Sequence, residues 1–300
     1  MLLSVCIATF QRPELLKKLL FSLVSQKIEK EILLEIIVVD NDKNETARNI
    51  VTEFNDTDKF KYSYLVQPEK NISLTRNLAV AKANGEYILF IDDDEYASEN
   101  WVMELFRTVT NFGADGVFGT VNSYFSEGTP DWIRQSFIYN RPTFKTGTVA
   151  TITRSGNCLI KRATIKSVDG PFDPAYGISG GSDTKLFYLL ISNGAKFVNS
   201  FEAETFEFVP PERATLKWLV KRAFRTGNGF VRRLIENKKE NTFIVKFKFI
   251  TIGLSFSLIS ICLAILLFPL KSKRIHWYLK FIANLGKLSA VFGYYPLEYS

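Results

Sequence analysis

Four consecutive acidic residues, Asp92, Asp93, Asp94 and Glu95, follow the apolar segment 87–91. That segment has the length and composition of a short buried strand. Because side chains alternate along an extended chain, Asp92 and Asp94 are expected to point to the same side. Two neighbouring carboxylates repel each other unless a proton or a cation joins them. The spacing predicts a site for Mg2+ or Mn2+ at Asp92 and Asp94, and an acidic loop in water is the alternative.

A further acid, Asp183, follows the glycine-rich stretch 177–181 and precedes a predicted helix over 184–192. Glycines let the backbone and a ligand approach closely, and a helix N-terminus favours an ionised carboxylate. Such a carboxylate is suited to accept a proton. The structural alternative is that Ser182 or Asp183 caps the helix.

The segments that must position these acids alternate between strand and helix patterns. The predicted strands are 2–8, 32–39, 62–66 and 87–91, and the predicted helices between them are 13–23, 44–54 and 73–83. This order predicts an α/β fold with a mostly parallel sheet flanked by helices. Ligands of such sheets bind beyond the carboxyl ends of the strands, which is where the acids lie.

The second half of the chain has a less regular pattern. A helix is predicted over 100–112, a strand over 115–121 and a return to the sheet at 156–160, with an irregular segment over 122–156. Residues 212–235 form a basic amphipathic helix or a pair of helices.

The C-terminal region contains an apolar run, 249–270, without any charged residue. The run is long enough to cross a bilayer. Lysines and arginines flank both of its ends, so charge indicates no orientation. A re-entrant or interfacial helix and a buried helix of a soluble protein are the alternatives. We therefore expect two domains, a catalytic domain over 1–235 and a membrane-associated region over 236–300.

Composition and charge restrict the kinds of partner that the protein is expected to bind. The net charge is +7, from 38 basic and 31 acidic residues, which suits a membrane surface or a phosphorylated substrate. No motif for reading nucleic acid is present, so no nucleic-acid partner is expected. The three cysteines have no disulfide or zinc spacing, which indicates a reducing compartment. Neither a G-x-G-x-x-G nor a P-loop pattern occurs, so phosphate binding must rely on the cation and basic side chains.

Five short motifs in order resemble the family 2 glycosyltransferases, which have the GT-A nucleotide-sugar fold. They are Thr9-Phe10-Gln11-Arg12-Pro13, Asp40, the stretch 71–77, Asp92-Asp93-Asp94 and Gly180-Gly181-Ser182-Asp183. The resemblance covers roughly residues 1–235. The forms FIDDDE, GGSDTKLF and KRAFRTGN are most similar to bacterial exopolysaccharide glycosyltransferases of the succinoglycan type.

The resemblance implies a role for each matching residue. The residues implied in nucleotide-sugar binding are Thr9, Arg12, Asp40, Arg76, Asp92 and Asp93. Asp92 and Asp94 match the family's D-x-D motif, which contacts the metal. Asp183 matches the general base, and Ser182 stands where the family has Glu. Arg222 and Arg225 lie where many relatives have Q-x-x-R-W, which implies contact with the acceptor or the diphosphate.

The implied reaction is an inverting, metal-dependent transfer of a sugar from a nucleotide-sugar donor to a glycan acceptor. The apolar run favours a lipid-linked acceptor and a place at the cytoplasmic face of the membrane. Two other functions fit parts of the pattern. One is a metal-dependent phosphohydrolase, whose D-x-D-x-[TV] pattern is broken by Tyr96. The other is a non-catalytic membrane subunit that binds glycan or nucleotide sugar.

Overall fold

The computed structural model describes residues 1–236 and 242–296, and these residues form two compact units. The first unit comprises Met1–Asn122 and Thr143–Glu207. The second comprises Ser123–Pro142 and the described residues from Phe208 onward. Residues 208–235 are thus grouped with the second unit, and the functional boundary expected at residues 235 and 236 stays a prediction.

Eight strands form a single sheet within the described residues. They are β1 (Leu2–Thr9), β2 (Leu33–Asp40), β3 (Phe60–Val66), β4 (Tyr87–Phe90), β5 (Glu95–Ala97), β6 (Gly116–Phe125), β7 (Cys158–Lys161) and β8 (Phe197–Val209). Their order is β3-β2-β1-β4-β7-β6-β8-β5. The pairs among β3, β2, β1 and β4 are parallel, whereas β7 is antiparallel to β4 and β6. The sheet is therefore mixed, and each connection between its four parallel strands contains a helix.

The helices of the first unit cover this sheet. They are α1 (Pro13–Val24), α2 (Arg48–Thr52), α3 (Ile72–Lys82), α4 (Trp101–Asn111), α6 (Arg162–Ile165) and α7 (Ser182–Ser192), with α5 (Asp131–Arg134) assigned to the second unit. Central strands are buried on both faces, so neighbouring side chains belong to opposite cores. In β1, for example, Val5 and Ile7 belong to one core and Cys6 belongs to the other. This two-sided burial explains the continuous apolar runs in the sequence.

The second unit contains three long helices. They are α8 (Leu216–Glu236), α9 (Thr242–Leu266) and α10 (Lys271–Val291). The basic segment predicted as one helix or two is a single helix, α8. By length and composition α9 is the one helix among the described residues that is able to cross a membrane. It begins before the uncharged run and ends before Pro269, since proline cannot continue a helix.

Of two expectations about the second half of the chain, one agrees with the structure and one differs from it. The segment 122–156 is irregular apart from the end of β6 and the short helix α5. No strand is predicted over 197–209, where the structure has the thirteen-residue β8. Glutamates interrupt its apolar residues, so its pairing with β5 had no clear local signal.

Candidate active site

The parallel strands bring distant residues to one edge of the sheet. Thr9 ends β1 and is paired in register with Asp40 at the end of β2. Strand β4 pairs with β1 up to Phe90, so Asp92 follows it to the same edge. Three of the expected site residues thereby meet through the register of the sheet.

Arg12 and Thr9 hold two of the consecutive acids. The Arg12 guanidinium donates from Nη1 to Asp93 Oδ1 at 2.9 Å and to Asp94 Oδ2 at 3.0 Å. The Thr9 hydroxyl donates to Asp93 Oδ2 at 2.9 Å. Burial raises the pKa of Asp93, and the nearby Arg12 charge and the Thr9 hydrogen bond oppose that rise. Thr9 and Arg12, which were expected to bind the nucleotide sugar, thus bind acids of the cluster.

Asp92 has a different partner and a more open position. The Arg76 guanidinium donates from Nη2 to Asp92 Oδ1 at 3.1 Å. The Asp92 side chain is 44% exposed, compared with 8% for Asp93 and 9% for Asp94. Helix α3 positions Arg76, and Asn71 caps that helix by accepting from the N–H groups of its second and third residues. Asp92 is therefore the acid of the cluster most accessible to a ligand.

Gly156 lies close against the accessible acid. A Cβ at this position would lie 2.8 Å from Asp92 Oδ2 and 2.9 Å from Glu95 Oε1. Two carboxylate oxygens therefore converge next to a residue that has no side chain. Neither Gly156 nor Glu95 was among the expected site residues, and only the contiguity of Glu95 with the other acids pointed to it.

Asp183 contacts the same short segment. The Ser155 N–H donates to Asp183 Oδ2 at 3.3 Å, and Ser155 directly precedes Gly156. The charges of both Asp92 and Asp183 act on Cys158, whose pKa is raised mainly by burial. The structure thus brings Asp92 and Asp183, ninety-one positions apart in sequence, to one site around residues 155–158.

The backbone around Asp183 corrects the capping alternative. The N-cap of α7 is Gly181, which has a φ of 97° in the left-handed region that favours glycine. Ser182 and Asp183 are the first two residues inside the helix. Asp183 Oδ1 accepts from the Thr184 N–H at 2.7 Å, so its carboxylate satisfies a donor of the first turn without being the cap. Its side chain is half-buried.

Asp173, a second acid that precedes α7, is held by a cation. Lys185 Nζ lies 2.6 Å from Asp173 Oδ2, and the Ala175 N–H donates to Asp173 Oδ1 at 2.9 Å. An acid paired with an ammonium group is a weaker proton acceptor than one bound by neutral donors. The general-base role of Asp183 stays a prediction.

Asp40 is fully buried and is surrounded by donors of the protein. It accepts from the N–H groups of Asp42 and Ala47 at 3.0 and 2.9 Å and from the Tyr64 hydroxyl at 2.8 Å. Burial and these contacts with Asp40 raise the pKa of Tyr64. Asp40 therefore fixes the loop after β2, and its expected contact with the nucleotide stays a prediction.

Two asparagines that flank Arg76 tie α3 to the segment leading to Asp183. Asn71 donates to the Pro174 carbonyl at 3.1 Å. Asn77 donates to the Phe172 carbonyl at 2.8 Å and accepts from the Phe172 N–H at 2.9 Å. The sequence motif contained both residues but gave no indication of this role, since their partners lie about a hundred positions away.

Arg222 and Arg225, the expected acceptor or diphosphate contacts, belong to α8 of the second unit. The Arg222 guanidinium lies 6.0 Å from the centre of the Trp218 ring. Their contact with substrate stays a prediction.

The residues present fit a cation that takes most of its ligands from a substrate. Among the described residues, no three His, Cys, Asp or Glu side chains converge in a way that would hold a metal alone. Asp92 Oδ2 nevertheless lies close to Gly156 on a side chain that is 44% exposed, and Mg2+ commonly uses one or two carboxylates plus substrate phosphates. Asp94 Oδ2, by contrast, bonds to Arg12. Asp92 is thus the better placed of the two expected ligands.

Comparison with known proteins supports one assignment. The model of the family described as Glycosyl transferase family 2 matches residues 4–168. The chain is 30% identical over 297 residues to succinoglycan biosynthesis protein ExoM of Rhizobium meliloti, covering 99% of this chain and 94% of the relative. It is also 30% identical over 118 residues to a Campylobacter jejuni GalNAc(5)-diNAcBac-PP-undecaprenol beta-1,3-glucosyltransferase, covering 39% and 37% of the two chains.

A solved structure shares the fold. The mannosyltransferase PcManGT from Pyrobaculum calidifontis, in complex with GDP-Man and Mn2+, superposes with a TM-score of 0.68 and 15% sequence identity. The match covers 95% of this chain and 86% of that one. The fold, the extent of the family match and the near full-length relative agree: the chain is a glycosyltransferase and belongs to family 2.

Proposed function

We propose that this glycosyltransferase moves a sugar from a nucleotide-sugar donor to a lipid-linked glycan, with inversion at the anomeric carbon and with a divalent cation. The observation that carries the proposal is the pair of carboxylates at Ser155–Gly156. Asp92, whose side chain is partly exposed, lies close to Gly156, and Asp183 accepts a hydrogen bond from Ser155.

The part of the site proposed to bind the nucleotide-sugar donor contains both arginines and carboxylates. Arg76 and Asp92 would contact the nucleotide diphosphate, while Arg12 holds Asp93 and Asp94 in place and Thr9 holds Asp93. Asp92, with Asp94 as a second ligand, would hold the cation. The cation, when bound, neutralises the leaving diphosphate as a Lewis acid.

Asp183 is the general base that would activate the acceptor. An acceptor hydroxyl beside its carboxylate transfers its proton as the oxygen attacks the anomeric carbon. Attack from the face opposite the diphosphate inverts that carbon. The base remains oriented throughout, because backbone N–H groups of Ser155 and Thr184 fix both carboxylate oxygens.

The relatives and α9 support the acceptor and the location. One relative is named for succinoglycan biosynthesis, and another for an undecaprenol-linked acceptor. A membrane-associated C-terminal unit would keep the enzyme beside such a lipid. We place the catalytic unit at the cytoplasmic face, where nucleotide sugars are made. The family assignment favours transfer over the phosphohydrolase and over the non-catalytic subunit.

Release of nucleoside diphosphate from a panel of nucleotide sugars tests the proposal. The purified full chain is first screened by thermal shift, since a donor that binds only the folded state raises its melting temperature. Release is then measured with and without membrane lipid extract as acceptor. We expect acceptor-dependent release that stops in excess chelator. Release of inorganic phosphate instead would indicate the phosphohydrolase, and no release with any donor would indicate the non-catalytic subunit.

A further inference from the structure

Helix α9 has one narrow buried stripe and one wide apolar surface. The buried residues recur every three or four positions along its whole length: Val245, Phe249, Gly253, Ser257, Ser260 and Ala264. Large apolar side chains on the remaining surface are more than half exposed: Phe243, Phe247, Leu254, Leu258, Ile265 and Leu266. An apolar face of this size indicates an apolar partner.

Helices α9 and α10 form an antiparallel hairpin. Residues 267–270 connect the end of α9 to the start of α10. At the opposite end of the hairpin, Val245 and Phe249 pack with Ala290 and Val291. Helix α10 therefore follows α9 along its length.

Helix α8 packs against α10 and runs in the same direction. Leu219 shares an apolar cluster with Ile275. Further along both helices, a Cβ at Gly227 would overlap the carbonyl oxygen of Ala283. The close approach of these backbones makes the three helices one packed group, so they enter or avoid the hydrocarbon core together.

The two neighbours of α9 are charged along their whole length. The cations of α10 are Lys271, Lys273, Arg274, Lys280 and Lys287, and those of α8 are Lys217, Lys221, Arg222, Arg225, Arg232 and Arg233. If α9 crossed a bilayer, α10 would cross beside it, and Lys280, one residue from the middle of α10, would lie near the mid-plane. Charges at that depth are costly. The packing therefore argues against a transmembrane span.

The charges at the ends of α9 identify the surface that the apolar face meets. Lys246 and Lys248 are exposed near its start, and Lys271 and Lys273 are exposed just beyond its end. No acidic residue occurs between Thr242 and Pro296. Cations at both ends of an apolar helix complement a lipid surface that is apolar inside and anionic at its headgroups.

We propose that α9 lies in the plane of the membrane, inserted into a single leaflet, with both of its ends on one side of the bilayer and its flanking lysines on anionic headgroups. This inference rests on the membrane association in the proposed function and specifies its form. It also leaves α8 and α10 in the headgroup region, where their long basic side chains reach water.

Cysteine labelling tests the sidedness of the two ends. Of the three native cysteines, Cys262 is exposed, whereas Cys6 and Cys158 are buried with raised pKa values and few reactive thiolates. In the full chain with Cys262→Ser, Thr242→Cys and Lys273→Cys are introduced singly. Right-side-out and inside-out bacterial membrane vesicles are then treated with a membrane-impermeant maleimide.

We expect both positions to react in the same vesicle orientation, together with Asp58→Cys as the marker of the catalytic unit. Reaction of the two positions from opposite sides would overturn the proposal in favour of a span. Protection of either position in both orientations, with labelling in detergent, would also overturn it, because that helix end would then lie inside the hydrocarbon.

Binding to vesicles tests the headgroup contact. The purified full chain is sedimented with phosphatidylcholine vesicles and with vesicles that also contain phosphatidylglycerol. Binding should be at least several-fold stronger to the anionic vesicles and should weaken with salt. Equal binding to both would overturn the contact with anionic headgroups. Donor turnover measured in detergent stays informative in each case, so a failure of this anchor is distinguishable from a failure of the proposed reaction.

Discussion

The acids after β4 and the acid in α7 are the same residue type in opposite surroundings. Two arginines pair with the acids after β4, whereas Asp183 accepts from two backbone N–H groups and one hydroxyl. Paired cations allow several carboxylates to stay close together and ionised. Neutral donors orient a carboxylate and leave it available for a proton. The comparison indicates that these acids differ in their partners, arginines for the acids after β4 and neutral donors for Asp183, more than in residue type.

The sharpest test of this comparison is Asp183→Asn, which keeps the shape of the side chain and removes its basicity. Transfer should slow by about 100-fold to 10,000-fold, the range for loss of a positioned base. Donor affinity and melting temperature should change little. The rate is measured as nucleoside diphosphate release at saturating substrates.

Asp173→Asn is the matched control for that variant, because Asp173 is paired with Lys185 and lies in the preceding segment. Its rate should stay near that of the wild type. If Asp183→Asn retains more than about a tenth of the rate while Asp173→Asn does not, the base is Asp173.

On the cluster side, Asp92→Asn removes the accessible charge beside Gly156. We expect a loss of about 100-fold to 1,000-fold in kcat, comparable to loss of an electrostatic stabiliser of the transition state. Donor binding, measured by titration calorimetry with and without Mn2+, should lose its dependence on the ion. Undiminished wild-type turnover in excess chelator would contradict a metal role for this cluster.

Asp94→Asn tests whether a second acid of the cluster binds the cation or only pairs with Arg12, to which Asp94 bonds. A higher Mn2+ concentration for half-maximal rate would assign Asp94 as a second metal ligand. An unchanged requirement would restrict it to its pairing with Arg12.

A smaller effect is expected from Gly156→Ala, which adds one methyl group between the two sides of the site. The new Cβ would displace the Asp92 and Glu95 carboxylates, whose ends are flexible enough to move without unfolding the chain. We expect kcat/KM for the donor to fall by about tenfold or more. Gly229→Ala is the control, because no atom lies within 4 Å of its added Cβ. Equal activity of both variants would mean that donor turnover does not require a residue without a side chain at position 156.

The smallest effect on rate is expected at Asp40, because donors of the protein already bind both oxygens of its carboxylate. Asp40→Asn places an amide NH2 against donors and should lower the free energy of unfolding by about 1–3 kcal/mol. Activity per folded molecule should remain within a few-fold of the wild type. Chemical denaturation measures the change, with the exposed Asp58→Asn as control. A loss of donor affinity without a loss of stability would restore Asp40 to nucleotide binding.

Much of the first unit was predictable because its signals are local. Strands β1, β2 and β4 are buried on both faces and appear as unbroken apolar runs, and Pro13 begins α1. Strand β8 was missed because its glutamates alternate with phenylalanines, and its neighbours β6 and β5 are distant in sequence. The asparagines around Arg76 showed no role until their partners near Phe172 were known.

The sequence by itself determined which groups are available: four adjacent acids after an apolar strand, one acid after a glycine-rich loop, and an apolar run flanked by lysines. It also determined the order of strands and helices from β1 to β4, since that order depends on local periodicity. Tertiary structure alone decided which partner each group has. Arg12 reaches Asp93 across eighty-one positions, and Ser155 reaches Asp183 across twenty-eight. It also decided that α9 lies against charged helices, because contacts between remote segments depend on how the whole chain packs, which no local pattern specifies.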